Sequence, residues 1–97
     1  MDRTQFNQSL TTTTPPPLGH ILQALWYDAK GDWAAAHEHA QAQADAAGAW
    51  VHAYLHRKEG DLANAAYWYN RASRPVATGP LQDEWEALLA EFLATPT

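Results

Sequence analysis

The sequence predicts an all-α fold of about five helices, set as two similar hairpins and closed by an amphipathic helix. Three observations carry that expectation. Apolar residues recur at helical spacing in five segments, and no segment alternates like a strand. Gly31-Asp32 and Gly60-Asp61 punctuate the pattern as a helix stop followed by a helix cap. The chain also aligns with itself after a shift of 29 residues, which pairs residues 30–34 with residues 59–63.

Residues 1–17 carry four consecutive threonines and then three prolines, a composition that favours an extended chain. They are expected to be a disordered N-terminal tail, leaving 18–97 as one helical-repeat domain. Phe6 and Leu10 offer the alternative of an arm docked on a neighbouring subunit. The first predicted helix spans 18–30, because Leu18, Ile21, Leu22, Leu25 and Trp26 form one stripe. Gly31 stops it and Asp32 caps the second, about 33–46, with Trp33, Ala36, His37, Ala40 and Ala44 facing inward. Gly48 is expected to close that helix.

A third helix follows over 49–59 and, after Gly60 and Asp61, a fourth over 62–73. Pro75 ends it by forcing Arg74 out of helical geometry. Pro80 then opens the last helix, 81–93. Leu81, Trp85, Leu88, Leu89 and Phe92 form its buried stripe, and Asp83, Glu84 and Glu86 are expected outside.

Composition narrows the function classes. A net charge of −5 lacks the basic clusters that displace phosphate counterions, so nucleic-acid binding is not expected. No apolar run reaches the roughly 20 residues of a membrane span. No basic segment precedes an apolar core at the N-terminus, so a cytoplasmic protein is expected. The chain has no cysteine, which removes disulfides, thiolate chemistry and cysteine-ligated zinc.

The hairpin pattern resembles the tetratricopeptide repeat. Ala53, Gly60, Asp61, Ala65, Tyr69 and Ala72 stand at that family's offsets in the second unit. Ala24, Tyr27, Gly31, Asp32 and Ala36 do so in the first, although Ala40 and Gln43 replace the usual aromatic and alanine. The period of 29 residues is shorter than the family's 34 or so. The resemblance implies a right-handed stack of two TPR-like hairpins, capped by the last helix. It further implies a non-enzymatic scaffold for protein–protein interaction or self-association, with a homodimer closing the exposed ends. The string from Trp50 to Tyr69, W-x-H-A-x-x-H-R-x-E-G-D-x-x-N-A-x-Y-W-Y, also resembles a motif in a group of small uncharacterised bacterial proteins. The A-H-E at 36–38 is similar to that group's upstream element.

His52, His56 and Glu59 lie at i, i+4 and i+7, on one helical face. In the repeat alignment His52 and His56 point into the hairpin, toward Asn64 and Trp68. Three readings follow. The histidines are satisfied core groups, hydrogen-bonded to Asn64, Glu59 or backbone. Alternatively they form a metal pair completed by His37, Glu38 or Glu59. Or they line a small polar pocket in which Arg57 or Arg71 holds an anion, with a histidine as acid or base. Whether the chain is an enzyme is left open, and no cofactor is implied. The alternative to a scaffold is therefore a small ligand-binding or metal-dependent hydrolytic protein. Its candidate cluster is His52, His56, Arg57, Glu59, Asn64, Trp68, His37 and Glu38.

Overall fold

The computed structural model describes residues 1–94. Six helices form among the described residues, and no strand: α1 Arg3–Ser9, α2 His20–Ala29, α3 Trp33–Ala42, α4 Ala46–Glu59, α5 Leu62–Arg71 and α6 Leu81–Ala94. None of them is long and apolar enough to cross a membrane.

The two glycine-aspartate joints fold as the sequence predicts, and they fold alike. Gly31 and Gly60 take left-handed φ of 84° and 89°, which a Cβ would disfavour. In the first joint the amide of Gly31 donates to the Asp28 carbonyl and that of Asp32 to Tyr27. In the second, Gly60 donates to Arg57 and Asp61 to His56, the same register. Asp32 then caps α3 through the Ala35 amide, and Asp61 caps α5 through Asn64. These turns press α2 onto α3 and α4 onto α5, the two most extensive helix contacts; α3 against α4 comes next.

Helix α4 is the centre of the molecule. Every residue from Gly48 to His56 is buried, so it has no solvent face along that length. Small residues at the crossings, Ala36, Ala40, Ala53 and Ala65, let the neighbouring backbones come close. Helix α6 lies against both α2 and α4, and its Leu88 and Leu89 are fully buried.

Three expectations need correction. Residues 1–17 are not an unstructured tail, because α1 forms there. Asp2 accepts from the Gln5 amide while the Gln5 side chain accepts from the Asp2 amide, a complete capping box. Phe6 is fully buried against Trp85, and Leu10 packs on the same core, so neither is free to dock on a second subunit. Arg3 anchors the helix to Glu86 at 2.6 Å, and Lys30 ties the following turn through the Leu10 and Thr12 carbonyls. The Cα radius of gyration, 12.5 Å, matches the ~12.5 Å expected of a compact chain of this length.

Second, Gly48 does not close a helix. Helix α3 ends at Ala42, Ala44 is exposed outside it, and α4 begins at Ala46 under an Asp45 cap that accepts from the Gly48 amide. Glycine is needed there for close approach: a Cβ would collide with the Gln43 carbonyl. Third, Glu84 is buried, although the pattern of α6 places it outside.

Candidate functional site

Three imidazoles meet where α3 crosses α4. His52 and His56 stand one turn apart on α4, with ring centroids 4.8 Å apart. His37 comes from α3, and its Nε2 lies 2.7 Å from Nε2 of His52. Its ring centre is 5.3 Å from that of His56. One ring nitrogen from each of the three falls within 4.8 Å of the others.

Tryptophans flank the trio. Trp33, one turn before His37 on α3, stacks on it at 4.9 Å and meets His56 edge-on at 6.0 Å. Its Nε1 donates to the Leu55 carbonyl at 2.9 Å, which locks the indole to α4. Trp68 of α5 stacks on His52 at 4.0 Å. His52 and His56 are only 5% and 7% exposed, and His37 is half-buried.

Burial favours uncharged rings here. It pushes His52 down to about 4, with His37 and His56 adding to the effect. Burial, followed by the nearby His56, lowers His37 as well, against a smaller upward pull from Glu59 and Glu38. A neutral imidazole has one N–H and one lone pair, so His37 and His52 share a single proton between their Nε2 atoms. His56 is oriented by Glu59, whose Oε1 lies 2.6 Å from Nδ1. A carboxylate only accepts, so Nδ1 carries the proton. In the neutral ring Nε2 is then the lone-pair nitrogen, 3.4 Å from Nδ2 of Asn64.

The sequence-predicted candidates thus divide. His37, His52, His56, Glu59, Asn64 and Trp68 come together. Arg57 and Glu38 do not. Arg57 turns toward α6, where it pairs with Glu84 at 3.0 Å and donates to the Gly79 carbonyl. It is therefore no wall of an anion pocket beside the histidines. Glu38 is exposed on α3 and reaches His37 only through its field. Arg71 lies over Tyr67 and Trp68, at 5.7 and 5.2 Å from their ring centres, and donates to the Tyr67 hydroxyl. His39 is half-buried, stacked on Tyr27, with its Nδ1 3.0 Å from that of His20. Trp33 is the participant the sequence reading left in the core; its i, i+4 spacing to His37 was the available signal.

Two other buried polar groups lie elsewhere. Asp28 of α2 accepts from the Tyr54 hydroxyl at 2.7 Å and from Lys58 at 2.8 Å. Glu84 of α6 accepts from Tyr69, Arg57 and the Trp50 indole. Burial, reinforced by the carboxylate each one bonds, drives Tyr54 and Tyr69 far above the ordinary phenol range, so both remain donors.

Comparison with protein-family models, with curated proteins and with solved structures finds no match for this chain.

Proposed function

We propose that this chain is a small non-enzymatic binding protein whose site is the imidazole cluster joining α3 to α4. The observation that carries this reading is the convergence of three ring nitrogens, His37, His52 and His56, within 4.8 Å. A structural network would pair each polar group with an opposite one. Here His37 and His52 face each other as imidazoles with a single proton between their Nε2 atoms, and of the three rings only His56 has a carboxylate partner, Glu59. Binding is favoured over catalysis because Glu59, a carboxylate suited to acid–base work, is engaged with His56, and Arg57, the candidate holder of an anionic substrate, is turned away to Glu84.

Side chains kept for binding usually lower stability when nothing is bound. Replacing His52 or His56 by leucine should therefore leave the melting temperature equal to or above that of the wild type. A sharp fall in both variants would return the cluster to the role of a core network.

A second reading, self-association of a TPR-like stack, is favoured by one feature. The outer face of α5 leaves Leu62 and Tyr67 66% and 52% exposed, beside Ala63 and Ala66. The matched turns at Gly31 and Gly60 support the TPR-like build. Sedimentation of the wild type and Leu62→Glu tests it: a dimer that dissociates in the variant supports self-association, and a monomeric wild type contradicts it.

A further inference from the structure

We infer that the ligand of this cluster is a divalent transition-metal ion of the zinc type, held by His37, His52 and His56; this rests on the binding role proposed above. Three observations lead there. First, the donor set is right. Three neutral imidazoles without thiolate form a ligand set zinc accepts, with a fourth position left for water or an exogenous donor. Second, the spacing is right. Two nitrogens on a tetrahedral zinc stand about 3.3 Å apart at the usual bond length of about 2.05 Å. The 2.7 Å His37–His52 pair must open by about half an ångström, and the third nitrogen, within 4.8 Å, must close in.

Third, the support is built. A metal-bound histidine ordinarily donates its other N–H to a carboxylate or carbonyl, which fixes the tautomer and raises the basicity of the ligating nitrogen. Glu59 makes that contact to Nδ1 of His56, and Nε2 can bind once its long 3.4 Å contact with the Asn64 amide gives way. Trp33 and Trp68, stacked on His37 and His52, hold those rings in place. The ion displaces the proton shared by His37 and His52. The ring that carries the shared proton on Nε2 shifts to its Nδ1–H tautomer, losing one proton to solvent and taking one up at Nδ1, so both rings stay neutral and both Nε2 lone pairs bind the ion in place of the N–H···N bond.

The other histidine pair serves as a control. His20 and His39 also approach, with Nδ1 atoms 3.0 Å apart, but His20 is exposed, and no third ligand accompanies them among the described residues.

The test uses the full, untagged chain, stripped with chelator and titrated with Zn2+ by calorimetry and with Co2+ by visible absorption. The expected result is one ion per chain and the intense bands of tetrahedral Co2+. Binding should be lost in His37→Ala and His52→Ala and kept in His20→Ala/His39→Ala. Glu59→Gln should keep the stoichiometry and weaken affinity about 10- to 100-fold. Should the alanine variants fail to fold, imidazole NMR of the wild type decides, because Zn2+ must shift the rings of His37, His52 and His56 and leave those of His20 and His39. No uptake by the wild type, or uptake that follows His20 and His39, overturns the metal. If uptake fails while the leucine variants stay stable, the binding role survives with another ligand. If those variants also melt early, both proposals fall.

Discussion

Asp28 and Glu84 are as deeply buried as His52 and His56, yet the two kinds of polar group behave in opposite ways. Each carboxylate is an acceptor met by dedicated donors: Tyr54 and Lys58 at Asp28, and Tyr69, Arg57 and Trp50 at Glu84. Each ties a helix that is not adjacent to α4 in the chain, α2 or α6, to α4 or its neighbour α5. His37 and His52 instead meet each other, and of the three rings only His56 has a carboxylate partner, Glu59. Removing a carboxylate orphans several donors, whereas removing an imidazole relieves a crowd of buried polar rings. Depth alone does not separate a brace from a site; complementarity of partners does.

The largest effect that would sharpen this contrast is expected from Glu84→Ala. Arg57, Tyr69 and the Trp50 indole would lose a buried acceptor, at a cost of about 3–5 kcal/mol in urea denaturation. A loss under ~1 kcal/mol would place Glu84 with the imidazoles. Tyr54→Phe is milder, because Lys58 still pairs with Asp28; a loss of about 1–2 kcal/mol is expected from the same measurement.

Acid should act next, and through the other class. Unfolded His52 takes up a proton near pH 6.5, and the folded ring only at about 4. Between those values the unfolded chain binds more protons. Stability is therefore level above pH 6.5 and falls as pH drops toward 4, by about 2 kcal/mol once some solvent access is allowed for. Denaturation at about pH 7.5 and about pH 4.5 measures it. His52→Leu should flatten the slope, and an unchanged slope would assign it to the carboxylates. The smallest effect is that variant's own stability at neutral pH, expected within about 1 kcal/mol of wild type or above it.

Much of the fold was legible because it rests on local rules. Gly31-Asp32 and Gly60-Asp61 announce their joints through backbone conformation and capping, and the structure repeats them bond for bond. The helix at residues 3–9 is hidden by the threonine and proline run of residues 11–17 that follows it, although the capping box Asp2-x-x-Gln5 stands before Phe6. Glu84 was misplaced for a related reason: at i+3 from Leu81 and i−4 from Leu88 it lies on the apolar stripe, and charge outweighed position. His52, His56 and Glu59 were found together because one helical face holds them. That His37 joins them, and Arg57 does not, depends on how α3 and α6 dock on α4. Such docking is set by shape and long-range pairing, which periodicity does not encode.

An imidazole cluster that holds a metal must couple zinc to the stability of the fold. Thermal unfolding of chelator-treated wild type and His52→Leu, each with and without excess Zn2+, tests this most directly. Zinc is expected to raise the wild-type melting temperature, as any ligand bound only by the folded state must, and to leave the variant unmoved. Equal shifts in both proteins, or none in the wild type, would contradict it.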